Sequence, residues 1–401
     1  MSILHSTEAI DIVDCESAFS LLPWFRLQHH DFTLDQPYFR LRSTNNDDND
    51  NEGKASPRPK KKQRIVSTTD LQTQERHDNL LPFLHLCMNH STSYWQQAAN
   101  SKSSEKDDQH IDLPPNGQQQ QEEEKPMINF PDWIPMASAL RRFQHNDKLP
   151  LVTLGQEQQE FELLDLFNQV VKNESLACRN ITLGDHGTFI IPPQSDFFMG
   201  DLETISELNV TGTKAYDLVV MDPPWPNKSV HRSSHYETQD IYDLYQIPLP
   251  SLVHDGSLIA VWITNKPKYR RFVIDKLFKS WHVSCVGEWT WIKVTSSGES
   301  VVPLESTHRK PYEQLVIGRY HTKEETVSME TKPLPYQHAI VSVPSKRHSR
   351  KPPLQDVLEP YLPTSPRCLE LFARCLTPGW SSWGNECLKF QHESYYTKID
   401  Q

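Results

Sequence analysis

The chain has 401 residues, of which 36% are hydrophobic and 30 are prolines, and its formal net charge is −11. That length holds one large domain and a smaller one, and the polar, proline-rich composition fits a folded enzyme carrying polar inserts. The negative charge excludes a protein that coats nucleic acid indiscriminately, because phosphate binding needs positive potential.

The charge is uneven: residues 214–351 carry 19 Lys and Arg against 14 Asp and Glu, a local balance of +5. No apolar run approaches the ~20 residues that cross a bilayer. The N-terminus lacks a basic-then-apolar secretory pattern, and the seven cysteines include no CxxC pair. The expectation is an intracellular protein with no membrane segment and no metal.

Two polar stretches punctuate the first third. Residues 44–70 run from NNDDNDNE into a basic group, Pro57 to Arg64, and residues 101–127 include QQQQEEE. Neither buries enough apolar surface to offset the entropy of ordering, so both are expected to be disordered linkers. They separate accessory segments at 1–43, 71–100 and 128–184. The basic group reads either as a nuclear import signal or as a solvated run balancing the acids before it. The expected location is the nucleus, with the cytoplasm second.

Phe161, Leu164, Phe167, Val170 and Val171 recur at helical spacing and predict an amphipathic helix over 160–172. From residue 185 to 395, strands are predicted at 216–221, 257–264, 283–294, 314–320, 339–343 and 368–372. Tyr269, Phe272, Val273 and Leu277 give a helical stripe, and a second helix is predicted over 353–361 behind a proline. Strand–helix alternation with unbroken apolar strands predicts an α/β domain around a mostly parallel sheet.

The four residues Asp222-Pro223-Pro224-Trp225 follow directly on the strand at 216–221. Open α/β sheets bind ligands beyond the carboxyl ends of their strands, so this loop stands where chemistry is expected. Methylating an adenine amine requires that the delocalised lone pair on N6 be turned toward a methyl donor. Asp222 offers an acceptor for one N–H and the Pro223 carbonyl an acceptor for the other; neither Pro223 nor Pro224 has an N–H to compete. Trp225 offers a flat face for an extruded base. The plainer alternative is a Pro-Pro turn closing a strand, with Trp225 in the core.

These residues and the segments around them resemble the eukaryotic N6-adenine methyltransferase family related to the mRNA-adenosine methyltransferases. DPPWPNKSVHRSSHY, VWITNKPKYRRFV, EWTWIKVTSSGESVVPLESTHRKPYEQLVIGRY, SVPSKRHSRKPPLQDVL and LELFARCLTPGWSSWGNECLKF follow that family in order, across roughly half the chain.

The resemblance implies a Rossmann-like, S-adenosylmethionine-dependent sheet with circularly permuted motif order and an N-terminal accessory region. It also implies cofactor contacts at Asp201 with Leu202, Asp222, Lys351, Glu370 with Leu371, Arg374, Asn385 and Glu386. Asn227, Lys228, Ser229, Arg232, Trp262 and Lys310 are the expected substrate contacts. Three further basic clusters are candidates for nucleic-acid contact: Lys266/Lys268/Arg270/Arg271, His308/Arg309/Lys310 and Lys346/Arg347/Arg350. Ala373 and Cys375 depart from the residues usual in the family.

The closest branch modifies an internal adenosine bearing a 2′-O-methyl group in spliceosomal small nuclear RNA. The expected function is therefore RNA adenosine-N6 methylation by a monomer. The alternatives are DNA as substrate, or a non-catalytic RNA-binding scaffold.

Overall fold

The computed structural model describes residues 2–21, 23–38, 68–104, 128, 130–144, 150–202, 204–205, 216–226, 240–306, 309–322, 332–347 and 350–399. A twelve-stranded sheet runs through it. In chain order the strands are β1 (Ile3–Ser6), β2 (Ile10–Val13), β3 (Leu151–Thr153), β4 (Val170–Lys172), β5 (Asp196–Met199), β6 (Tyr216–Met221), β7 (Val253–Ile263), β8 (Val283–Lys293), β9 (Tyr312–Tyr320), β10 (Gln337–Ser342), β11 (Cys368–Leu371) and β12 (Ser381–Gly384). Across the sheet they lie in the order β1-β2-β10-β8-β9-β7-β6-β11-β12-β5-β4-β3.

The run β7-β6-β11-β12-β5 is parallel throughout. β9 enters antiparallel between β7 and β8. This is the α/β arrangement that the strand pattern predicts, and the Rossmann-like sheet that the resemblance implies.

β6 reads as a continuous apolar run because both its faces are covered. Val219 and Met221 join one core with Ile259, Val261, Leu369 and Trp383. Leu218 and Val220 join the opposite core with Leu258, Ala260, Leu315 and Phe390.

Three expectations are corrected. The sheet does not begin at residue 185. β2 pairs in parallel with β10 and carries Ile10 and Ile12 into the core, so Ile3–Ser6 and Ile10–Val13 of the expected accessory segment are part of the sheet. An uncovered β10 would present an open edge, which β1 and β2 close. At the far side, β3 and β4 extend the same sheet from within 128–184.

The expected helix over 160–172 is a 3₁₀ turn, Asp165–Asn168, followed by β4. Leu163, Leu166, Phe167 and Val171 still bury together. The β-branched pair Val170-Val171 is taken up by neighbouring strands, which overrides the helical spacing.

Finally, one helix spans Thr68–Ser104, absorbing residues assigned to both linkers. The remainder of those linkers, with Pro57 to Arg64, lies outside the described residues. Leu84 and Cys87 of this helix pack on Ile10, Ile292, Tyr312 and Val341. The helical stripe after β7 is present as Pro267–Arg271, running through a π turn at Phe272–Leu277 into Phe278–Ser280.

Candidate active site

β6 ends at Met221, and Asp222 leaves the sheet between the carboxyl ends of β7 and β11. Pro223 and Pro224 have no N–H with which to continue the ladder, so the strand stops here. Phe372, just past β11, adopts φ 61°, turning the chain so that Glu370 and Arg374 both line one cleft with Asp222. The cleft has a cavity volume of about 50 Å³ and is also lined by Trp262, Lys351 and Phe372.

Charges of alternating sign form a chain through this cleft. Asp222 Oδ2 accepts from Arg374 Nη1 at 2.8 Å and lies 3.1 Å from Lys351 Nζ. Lys351 reaches Glu313 Oε2 at 3.0 Å, and Lys293 holds the other Glu313 oxygen. On the far side, Arg374 Nε donates to Glu386 at 3.4 Å and Lys389 donates to it at 2.7 Å.

Burial works against the Glu313 carboxylate, yet Lys351 and Lys293 hold it down at about 2. Burial likewise opposes the charges on Lys351 and Arg374. Asp222 and Glu313 outweigh it at the lysine, and Asp222 and Glu386 do so at the arginine, so both pKa values rise. Glu370 is the exception. It has no side-chain partner among the described residues; burial, and then the Asp222 charge, push it up to about 8.

The tetrapeptide is clamped from the side. Trp225 Nε1 donates to the Trp262 carbonyl at 2.8 Å, and the Trp225 ring lies 4.7 Å from that of Tyr269. The Pro226 carbonyl accepts from the Tyr269 hydroxyl and from Lys266 Nζ at 3.3 Å. The Pro223 carbonyl accepts the Trp225 N–H at 2.8 Å.

Asp222, Lys351, Glu370 and Arg374 are thus brought together as the sequence suggested. Glu386 joins them through Arg374. The Gly200 N–H donates to the Gly384 carbonyl at 3.2 Å, setting the Asp201-Leu202 turn beside Asn385. Asp201 caps that turn by accepting from the Thr204 N–H at 3.2 Å. Leu202 and Leu371 are buried in the core, which leaves only their backbone to face a ligand.

The other expected site residues stand in varied surroundings. Trp225 is 8% exposed; it anchors the loop instead of presenting an open stacking face. Pro224 is exposed beside it. Trp262 is 2% exposed and packs edge-on against Trp291, and it meets Trp225 through its carbonyl. Lys310 donates to the Ser306 carbonyl at 2.8 Å and to Gln74 of the long helix at 3.3 Å, away from the cleft lining. Asn227, Lys228, Ser229 and Arg232 lie outside the described residues, as does His308.

Arg270 and Arg76 both grip Glu288, Arg271 donates to Gln72, and Arg347 donates to Asp31. Glu313, Lys293 and Tyr269 were missed by sequence reasoning. They are contributed by β9, β8 and the helix after β7, and no local pattern ties them to Asp222.

A family comparison matches residues 216–386 to MT-A70. The mouse protein N(6)-adenine-specific methyltransferase METTL4 is 42% identical over 276 residues, 68% of this chain and 58% of the mouse protein. The N6-methyladenosine RNA methyltransferase MTA1 of Pyricularia oryzae is 38% identical over 223 residues, 53% of this chain and 58% of that protein. The Caenorhabditis elegans DNA N6-methyl methyltransferase is 36% identical over 216 residues, 53% and 57% of the two chains. The chain spans little more than half the length of these relatives. The strand that delivers Asp222, the strap carrying Lys351 and the turn from Glu370 to Glu386 all fall inside the segment, residues 216–386, that matches the MT-A70 family.

Proposed function

We propose that the protein transfers a methyl group from S-adenosylmethionine to N6 of adenosine in RNA, acting as a monomer in the nucleus. Following the branch it resembles, the target is an internal 2′-O-methyladenosine of a small nuclear RNA. One observation carries the chemistry: both cations that grip Asp222 bind Oδ2, which leaves Oδ1 to accept from a substrate amine. The Pro223 carbonyl, already holding the Trp225 N–H, keeps a second lone pair for the other amine hydrogen. Two acceptors at fixed positions orient the amine, and the rigidity that Lys351, Arg374 and Tyr269 give the loop keeps them there.

The cleft residues suit the cofactor. Glu370 is a carboxyl at a strand end with no side-chain hydrogen bond among the described residues, the position from which ribose hydroxyls are bound in such sheets. Arg374 and Glu386 stand next to it with mixed charge, for the nucleoside end of the molecule. S-adenosylmethionine supplies the sulfonium-bound methyl group, and no strong base is needed because the methylated amine sheds its proton readily. Asp222 therefore acts as an orienting acceptor.

A second reading has DNA as the substrate, which the printed name of the nematode relative favours. RNA is preferred because the sequence carries no helix-turn-helix or zinc module to pry open a duplex. A scaffold without catalysis is disfavoured, since Asp222 and Trp225 are both retained. The test is methyl transfer from labelled cofactor to matched oligonucleotides: RNA, RNA with 2′-O-methyladenosine, and single- or double-stranded DNA. Labelling of the 2′-O-methylated RNA above the others supports the proposal, and preferential labelling of DNA replaces it with the second reading.

A further inference from the structure

Apart from the cleft that holds Asp222, two small sheets meet around a cavity. Phe25–Leu27 pairs with Tyr396–Lys398, setting Phe25 opposite Lys398. Arg179–Thr182 is the middle strand of a three-stranded sheet, and its neighbour Gln159–Glu160 pairs only with Ile181 and Thr182. Where that cover stops, at Arg179 and Asn180, a cavity of about 480 Å³ opens. Trp24, Phe25 and Lys398 line it from one sheet, and Arg179, Asn180 and Gln156 from the other side. No residue lines both this cavity and the Asp222 cleft. Its volume falls in the range of small-molecule sites, roughly 300–1,000 Å³.

The lining is cationic and free of acid. Arg179 and Lys398 are its charged residues, and no Asp or Glu lines it, in a chain with 52 acidic residues against 41 Lys and Arg. Elsewhere Lys351, Arg374, Arg270 and Arg347 each meet a carboxylate. Among the described residues neither Arg179 nor Lys398 does. Two such cations side by side suit a phosphate group.

Trp24 supplies a plane. Its N–H donates to the Leu21 carbonyl and its carbonyl accepts the Ile399 N–H, both at 3.0 Å, which fixes the backbone beneath the indole. The side chain is half-buried, and among the described residues no other ring or cation covers it. A flat, conjugated group can stack there. The carboxamides of Gln156 and Asn180 make no side-chain hydrogen bond among the described residues, and each offers both donors and an acceptor. A phosphopeptide would use the cations but neither the plane nor the amide edges, and an apolar ligand would use only the plane.

We propose that this cavity is a second binding site, for a nucleotide. The base lies on Trp24 with its edge toward Gln156 and Asn180, and the phosphate meets Arg179 and Lys398. The site is separate from the methyl-transfer cleft and is carried by the N-terminal and C-terminal segments, outside the strands that hold Asp222.

The test titrates adenosine 5′-monophosphate by calorimetry into the full chain saturated with S-adenosylhomocysteine, so that the cleft is occupied. Saturable binding is expected, and adenosine, which lacks the phosphate, should bind about ten- to hundred-fold more weakly, the range for a charge-assisted contact. Lys398→Gln, a change at an exposed position, should weaken the monophosphate about tenfold and leave adenosine within about threefold. Trp24→Leu should weaken both about tenfold by removing the stacking face. Affinity for S-adenosylhomocysteine should stay within about threefold of wild type in both variants.

No saturable binding of the monophosphate, or binding that Lys398→Gln and Trp24→Leu both leave unchanged, would overturn the proposal. Should Trp24→Leu fold poorly, Arg179→Gln combined with Lys398→Gln carries the test, with selective loss of the monophosphate expected and equal affinity overturning it. Competition identifies the source of the nucleotide: displacement by a single-stranded RNA hexamer assigns the site to an RNA chain, and persistence of the bound monophosphate assigns it to a free nucleotide.

Discussion

Replacing Glu370 with glutamine is expected to abolish much of the loss of stability that the wild-type protein undergoes between pH 5 and pH 8. In the folded chain this carboxyl is pushed up to about 8 by burial and by Asp222, against an ordinary value of 4.5. As pH rises past 4.5 the unfolded chain gives up the proton while the folded chain keeps it. The folded state then binds more protons, so stability falls with rising pH until Glu370 itself ionises near 8. At 1.36 kcal/mol per pH unit, that interval sets a ceiling of about 5 kcal/mol. Water entering the cleft reduces this to roughly 2 kcal/mol, since real sites relax around a buried charge. Urea denaturation of wild type and Glu370→Gln at pH 5 and pH 8 measures it. The variant should show the flatter dependence and a relative gain at pH 8. Parallel curves, agreeing within about 0.5 kcal/mol, would refute the reasoning that Glu370 is held neutral.

Three other outcomes are expected. Glu288 is held at about 2: burial opposes its charge, and Arg270, Tyr336 and Arg76 outweigh it. Glu288→Gln should therefore cost about 2–4 kcal/mol near neutral pH by leaving two arginines short of an acceptor, with the gap to wild type closing as acid protonates Glu288 between 4.5 and 2; denaturation across that range checks it. Gly298 has φ 80°, and a Cβ there would overlap the Trp95 indole of the long helix. Gly298→Ala should cost about 1–3 kcal/mol and speed hydrogen exchange toward the C-terminal half of Thr68–Ser104. Trp225→Phe deprives the buried Trp262 carbonyl of its donor, costing about 1–3 kcal/mol in denaturation assays. It should depress methyl transfer far more than the stability loss explains, because the Asp222 loop loses its anchor.

The catalytic loop was legible because its supports are local. A strand covered on both faces must be apolar throughout, and prolines directly after it must end it, so β6 and Asp222 could be placed from sequence. β1 and β2 could not: each is four residues long, and the Asp11–His338 contact at 2.8 Å joins positions 327 apart. The segment at 160–172 misled for a related reason, since spacing records which side chains bury together but not whether a helix or a strand buries them. Arg350 stood in a visibly basic cluster, yet only the packing of Phe19 and Phe390 reveals that it turns inward. Charge in the sequence does not disclose its partners, and for that reason the alternation from Lys293 to Lys389 became visible only with the fold.

The central claim is that Asp222 orients an adenine amine for methyl transfer. It is tested most directly by incubating wild type and Asp222→Ala with cofactor and adenosine-containing RNA, then identifying the methylated nucleoside by mass spectrometry. The prediction is N6-methylated adenosine from wild type, and a rate at least about a hundredfold lower from a variant that remains folded. A methyl group on another atom, or a variant within about threefold of wild type, would contradict it.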